Sequence, residues 1–104
     1  MSITQTHLDN SISETYRDFI TRDWAKCKDG FEVSIQASGS HYCLPRDGNG
    51  IYTHVELGFP SEYMGDEFQE YAEDPEKPTD TVYSCVPLEM IDRLIDSHGG
   101  LVND

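Results

Sequence analysis

Hydrophobic and polar residues follow two different periods along this chain, and these periods predict its elements. Over residues 12–28 the apolar side chains recur every three or four positions, which is typical of an amphipathic helix. Ser11 and Glu14 match a capping box, in which a hydroxyl and a carboxylate satisfy free amides at a helix start. Gly30 supplies the left-handed residue that often follows a helix end. The sequence therefore predicts a polar arm over 1–10 and a first helix over 12–28. The apolar stripe of this helix comprises Ile12, Tyr16, Phe19, Ile20, Trp24 and Cys27.

Strict alternation of apolar and polar residues predicts strands with one buried face. Residues 31–38 and 51–57 show this alternation, and residues 41–44 form a short segment of the same type. Residues 45–50 are rich in turn formers and predict a loop. Together these segments indicate an antiparallel meander. Residues 81–86 are β-branched or aromatic and apolar on both faces, which favours a central strand.

Two further helices are predicted in the second half of the chain. The first covers 62–73, where Met64, Phe68 and either Tyr71 or Ala72 form the buried stripe. Gly65 weakens this helix by about 1 kcal/mol relative to alanine. Two prolines make residues 74–80 an exposed loop. The last helix begins at Pro87, which suits a first helical turn, and ends before two glycines. Its apolar stripe is Leu88, Ile91, Leu94 and Ile95.

These elements predict a single-domain α+β fold. The expected architecture is an antiparallel sheet of three to four strands with helices packed on it, in the order α-β-β-(β)-α-β-α. A chain of 104 residues is long enough to bury one core without metal or disulfide support.

Charge adds a strong bias to this picture. Seven lysines and arginines stand against 20 acidic residues, which gives a net charge of −13. Such a field repels nucleic acid and anionic membranes and attracts basic surfaces. Residues 56–80 carry nine of the acidic residues and a single basic one, Lys77. We therefore expect a basic protein partner, no direct nucleic-acid binding and no membrane binding. The alternative interpretation is that acidity only maintains solubility.

The compartment is predicted from cysteines and from the absence of targeting signals. Three widely spaced cysteines without a CxxC pair do not form a disulfide framework. The N-terminus lacks the basic and apolar regions of a signal peptide, and no run of about 18 apolar residues is present. We expect a cytoplasmic protein with reduced thiols.

No catalytic motif is visible, and we assign no catalytic residue, metal ligand or cofactor. A zinc site is conceivable if four residues on neighbouring predicted strands converge, but their spacing fits no structural zinc pattern. These residues are His41, Cys43, His54 and Cys85. Cysteine catalysis by Cys43 is opposed by acidic surroundings, which raise a thiol pKa.

The acidic stretch remains as a candidate interaction surface. Its tyrosines are interleaved with carboxylates, and tyrosine is enriched at binding hot spots. Carboxylates along a helix also imitate the phosphate array that basic grooves recognise. Phe68 is expected in the core, and a merely solvated helix face is the alternative. The predicted partner-binding residues are Glu62, Tyr63, Asp66, Glu67, Glu70, Tyr71, Glu73, Asp74 and Glu76.

Three stretches resemble short proteins of bacteriophages: DGFEVSIQAS (29–38), HYCLPR (41–46) and YTHVELGFP (52–60). Small size, acidity and the missing catalytic motif are similar to phage-encoded inhibitors of host defence, including anti-CRISPR and anti-restriction proteins. The resemblance implies a stoichiometric blocker of a nucleic-acid-binding complex in the bacterial cytoplasm. Because those inhibitors share no common fold or signature, no functional residue is carried over.

The leading hypothesis is a non-enzymatic interaction protein that docks on a Lys/Arg-rich groove of a nucleic-acid-handling complex. Two alternatives stay open. One is a small regulatory module that binds a protein through an apolar patch. The other is a metal-dependent enzyme or metal-binding protein that uses His41, Cys43, His54 and Cys85.

Overall fold

The computed structural model describes residues 3–16, 19–37 and 52–102, with the backbone alone for the part within 13–21. Its elements in chain order are α1 (Ile3–Asn10), β1 (Ile12–Tyr16), β2 (Phe19–Arg22), β3 (Ala25–Lys26), β4 (Glu32–Gln36), β5 (His54–Gly58), a 3₁₀ helix (Asp66–Tyr71), β6 (Val82–Pro87) and α2 (Leu88–Ser97). β1 and β2 form a hairpin, and the other strands form a sheet in the order β3-β4-β5-β6. All strand pairs are antiparallel. The predicted α+β class with its antiparallel sheet is confirmed.

The core lies on the face of the sheet that α2 covers. Ile35, Leu57 and Tyr83 are register neighbours across β4, β5 and β6, and all three are fully buried. Such cross-strand pairs are the unit by which a sheet is stabilised. The predicted stripe of the last helix is also confirmed, because Ile91, Leu94 and Ile95 are buried while Leu88 is half-buried.

Three predicted strands are confirmed as β4, β5 and β6, whereas residues 38–51, with the predicted strand over 41–44, lie outside the described residues. The central position predicted for residues 81–86 is wrong, since β6 is at the edge of the sheet. Its outer side is partly covered by Ala72, which forms an isolated bridge with Tyr83. Ala72 therefore shields part of the outer edge of β6, a strand that has apolar residues on both faces. The sequence of β6 alone does not predict this contact.

The first helix predicted over 12–28 is wrong. This part of the chain forms β1, β2 and β3, and Trp24 is exposed in the connection between β2 and β3. Seven of its 17 residues are β-branched or aromatic, which favours strands. A hairpin also repeats apolar residues at spacings that a short window cannot distinguish from a helix. Gly30 does have a positive φ of 99°, but in the turn between β3 and β4.

The polar arm predicted over 1–10 is also wrong, because residues Ile3–Asn10 form α1. Thr4 and Leu8 lie one turn apart on its buried face. The Thr4 amide donates to Asp92 Oδ1 at 2.9 Å and the Thr4 hydroxyl donates to the same oxygen at 2.6 Å. A carboxylate on α2 thus satisfies the first turn of α1, and a partner 88 positions away leaves no local signal in the sequence.

Candidate protein-binding surface

The acidic segment, defined here as residues 62–76, is held in one conformation mainly by its backbone. The helix predicted over 62–73 is in fact a short 3₁₀ helix, Asp66–Tyr71. Gly65 precedes it with a φ of 120°, and no side chain caps its first turn. Because a 3₁₀ helix has three residues per turn, Glu67 and Glu70 lie on the same side.

Both ends of the acidic segment are tied to the sheet. The Ser61 amide donates to the Glu32 carbonyl oxygen at 2.8 Å. At the other end the Glu73 amide donates to the Val82 carbonyl oxygen at 3.0 Å, and the Asp74 amide donates to Thr81 Oγ1 at 3.0 Å. These bonds join the segment to β4 and to the start of β6.

Apolar side chains anchor the middle of the segment. Met64 and Phe68 are buried in the core, which confirms the expectation for Phe68, and Tyr71 and Ala72 pack against the core while half-buried. The predicted buried stripe is therefore right although the regular helix is not. Two apolar residues four positions apart, followed by a tyrosine, are compatible with several local conformations. The pattern therefore predicts which side chains are buried better than it predicts the type of helix.

The carboxylates of the segment point away from this core. Six of the predicted carboxylate residues are exposed: Glu62, Asp66, Glu67, Glu70, Glu73 and Glu76. Glu62 Oε1 lies 3.8 Å from His98 Nε2, and Asp29 Oδ2 lies 2.6 Å from His98 Nδ1. No lysine or arginine in the described ranges lies within 4 Å of a carboxylate of the acidic segment.

The two predicted tyrosine anchors differ. The Tyr63 side chain is 48% exposed, and its hydroxyl donates to Asp66 Oδ1. This hydrogen bond, followed by partial burial and by the nearby carboxylates, raises the pKa of Tyr63. Tyr71 is half-buried, and burial followed by Glu70 raises its pKa. The Tyr63 ring is therefore exposed to solvent, whereas the Tyr71 ring packs partly against the core.

Asp74 has a structural role within the predicted site. Its Oδ1 accepts the Glu76 amide at 3.2 Å, and its carbonyl oxygen accepts the Lys77 amide at 3.0 Å. The Gln69 side chain adds a bond from Nε2 to the Pro75 carbonyl oxygen at 2.9 Å. Asp74 is half-buried, so it shapes the turn more than it presents charge to solvent.

The residues considered for metal binding are only partly described. His54 lies on β5, where its Nδ1 is 2.9 Å from Thr53 Oγ1, and half-buried Cys85 lies on β6 at a bulge with a φ of 53°. His41 and Cys43 fall outside the described residues. Among the residues that are described, no group of three or more histidine, cysteine, aspartate or glutamate side chains is placed to hold a metal ion.

Cys27, which was predicted only as a helix-stripe residue, is buried in the core. Its side chain is 2% exposed, and burial together with the Asp29 charge raises its pKa to about 11. A thiol in this state stays protonated at neutral pH and is a poor nucleophile.

Sequence reasoning missed a polar corner next to the acidic segment. The His98 ring stacks on Phe31 with centroids 4.2 Å apart, while its Nδ1 contacts Asp29. Asp29 Oδ1 also accepts the Phe31 amide at 3.0 Å, and these two hydrogen bonds lower the pKa of Asp29. Because Asp29 and His98 are 69 positions apart, no local pattern indicated the contact.

No helix in the described ranges is both long enough and apolar enough to cross a bilayer. Comparisons of this chain with protein-family models, with curated proteins and with solved structures yield no match. Its acidic segment therefore has to be understood from its own geometry and charge.

Proposed function

We propose that this protein is a non-enzymatic inhibitor whose acidic segment docks on a Lys/Arg-rich groove of a nucleic-acid-handling complex and competes there with DNA or RNA. The proposal extends to a phage-encoded inhibitor of the anti-CRISPR or anti-restriction type, acting in the bacterial cytoplasm. The resemblance of the sequence to small phage proteins motivates this second part.

One observation carries the proposal. A segment with six exposed carboxylates is fixed by backbone bonds and by Phe68, and none of these carboxylates pairs with a described lysine or arginine. A preorganised array loses little conformational freedom when a partner binds. Glu62 lies near His98 and Asp66 accepts the Tyr63 hydroxyl, but no ion pair within the described residues has to be broken for the other four carboxylates to bind a partner.

A basic groove suits this array for a physical reason. Grooves that bind nucleic acid obtain most of their affinity from phosphate charges, and they release condensed ions when the charges pair. Glu67 and Glu70 on one side of the 3₁₀ helix, followed by Glu73 and Glu76, present successive negative charges along a short path. Tyr63 stands next to them as an exposed ring of the kind that anchors protein interfaces.

The test combines capture with charge reversal. The tagged chain is incubated with bacterial lysate at low and high salt, the partner is identified by mass spectrometry, and its complex is then reconstituted from purified components. We expect the variant Glu67→Lys/Glu70→Lys/Glu73→Lys to bind roughly a hundredfold more weakly, at about 1 kcal/mol for each lost pair. DNA or RNA should displace the parent chain from the complex.

A matched control reverses three exposed acidic residues outside the segment, Asp9→Lys/Glu89→Lys/Asp96→Lys. This control changes the net charge by the same amount and should bind within a few-fold of the parent. Equal losses of binding in both variants would show that the net charge of the chain, and not the acidic segment, causes the effect. Undiminished binding by the folded acidic-segment variant would refute the proposal.

The second candidate is a regulatory module that binds a protein through an apolar patch. Trp24 and Val102 favour it, since both are more than 40% exposed and line the same depression. High salt separates the two functions, because pairing of exposed charges weakens with salt while an apolar contact persists. Replacing Trp24 with serine should abolish the salt-resistant complex and leave a salt-sensitive one intact.

A further inference from the structure

His98 is the residue directly after α2, and three parts of the chain meet at its ring. One face of the ring stacks on Phe31, with the centroids 4.2 Å and the ring planes 10° apart. Nδ1 lies 2.6 Å from Asp29 Oδ2, and only 15% of the His98 side chain is exposed. Because the stacking and the hydrogen bond fix the ring, its second nitrogen, Nε2, keeps one direction.

The contact with Asp29 determines which ring nitrogen carries the proton when the ring is neutral. Two hydrogen bonds, first that from the Phe31 amide and then that from His98, lower the pKa of Asp29. The Asp29 carboxylate is therefore ionised at neutral pH and only accepts hydrogen bonds. Nδ1 has to be the donor in this contact, so a neutral His98 ring has a lone pair on Nε2.

Nε2 faces the first residue of the acidic segment. Glu62 Oε1 lies 3.8 Å from it, which is longer than a hydrogen bond. When the ring is neutral, a lone pair and a carboxylate oxygen face each other, and neither donates. When the ring is charged, Nε2 also carries a proton, and the contact becomes a charge-assisted hydrogen bond. The Glu62 side chain is 61% exposed and can turn toward the ring, whereas the ring itself is fixed.

The other charged groups near the ring act in both directions. Lys28, whose Cβ lies beside Gly99, repels a positive charge on the ring. Asp96, in the last turn of α2, attracts it, and so do the carbonyl groups at the negative end of the helix dipole. Phe31 adds no charge. Histidine rings change charge between about pH 5 and 8, so this contact responds to pH in that range.

We propose that His98 is a proton-dependent switch at the start of the acidic segment. The charged ring donates from Nε2 to Glu62 and holds this carboxylate against the end of α2, while the neutral ring releases it to solvent. Mild acid thus withdraws one carboxylate from a basic partner and places a positive charge beside it. This consequence for docking rests on the proposed function, whereas the switch itself does not.

The test follows the start of the acidic segment by nuclear magnetic resonance between about pH 8 and pH 5. We expect the amide signals of Glu62 and Tyr63, and the side-chain carboxyl carbon of Glu62, to shift together with the His98 ring nitrogens. His98→Gln should abolish these shifts. Glu62→Gln should remove most of the shift at the Tyr63 amide. The matched control Glu76→Gln, at the other end of the segment, should leave that shift unchanged.

Three results would overturn the switch. They are constant Glu62 and Tyr63 signals in the parent chain, shifts that persist in His98→Gln, and equal effects of the Glu62 and Glu76 variants. The first result comes from the parent chain, so it does not depend on how well a variant folds. Because no partner is present, a failed switch leaves the proposed docking standing, and failed docking in the charge-reversal experiment leaves the switch standing.

Discussion

The acidic segment and the α1 side of the molecule use charged residues in opposite ways. In the acidic segment, backbone hydrogen bonds and buried apolar side chains fix the conformation, and the carboxylates face solvent. On the α1 side, charged side chains themselves connect the elements. The difference teaches which charges of this very acidic chain are available for a partner and which are needed by the fold.

Arg22 is the clearest example on the α1 side. Its side chain is 7% exposed, its Nε donates to the Leu8 carbonyl oxygen at 2.9 Å, and its Nη1 donates to the Ala37 carbonyl oxygen. Its backbone exchanges two bonds of 2.9 Å with the Gln36 side chain. One residue thus joins α1, β2 and β4, and a planar guanidinium is suited to bonding two acceptors at once.

The largest expected effect comes from removing this connection. Arg22→Met keeps the apolar stem but leaves two buried carbonyl groups without donors, and we expect the free energy of unfolding to fall by about 3 kcal/mol. Urea denaturation followed by circular dichroism measures this loss. Arg22→Lys retains the charge but only part of the bonding geometry, so it should lie between the parent and the methionine variant. A methionine variant as stable as the parent would show that Arg22 does not hold the α1 side together.

The contact between the two helices should have a smaller effect. Thr4→Val keeps the shape of a buried side chain but removes the hydroxyl that donates to Asp92 Oδ1 at 2.6 Å. We expect a loss of about 2 kcal/mol in the free energy of unfolding, within the range for hydrogen bonds to charged groups. Thr4→Ser, which retains the hydroxyl, is the matched control and should be clearly more stable than the valine variant. If both variants lose the same amount, packing rather than the hydrogen bond joins α1 to α2.

As the pH falls, we expect the contribution of His7 to the free energy of unfolding to be lost before that of Asp29. Burial lowers the pKa of His7 below its ordinary value of 6.5, so the unfolded chain takes up a proton more readily than the folded one. The contribution of the neutral His7 ring to the free energy of unfolding is therefore fully present above pH 6.5. It is lost as the pH falls through the lowered pKa. The corresponding loss from Asp29, whose pKa is also lowered, begins only below its ordinary value of 3.8.

This pH dependence is measured by urea denaturation between neutral and mildly acidic pH. His7→Gln removes the titrating ring, so its stability should change less than that of the parent over this range. Nuclear magnetic resonance titration of the His7 ring gives the pKa directly. A His7 pKa at or above 6.5 in the folded chain would contradict the prediction.

The contrast between the acidic segment and the α1 side also explains which parts of the structure the sequence could predict and which it could not. Val33, Ile35 and Leu57 alternate with polar residues because one face of the sheet is buried, and α2 shows its stripe for the same reason, so both were predictable. α1 was not, because its first turn is completed by Asp92 on a distant element. The exposed carboxylates of the acidic segment were predictable because exposure follows from residue type, while the polar corner at His98 depends on three parts of the chain that meet only in the folded protein.

The smallest expected effect is in the acidic segment. Glu67→Lys/Glu70→Lys/Glu73→Lys changes the net charge from −13 to −7, because each reversal adds two charges. Since none of these side chains pairs with a described lysine or arginine, we expect the free energy of unfolding to stay within about 0.5 kcal/mol of the parent, with any change favouring stability through reduced self-repulsion. A single Asp92→Lys reversal is the contrasting control, because it removes the acceptor of both Thr4 bonds and should destabilise the chain markedly. If three reversals in the acidic segment cost more than this one on α2, the carboxylates of the segment hold the fold and are not free for a partner.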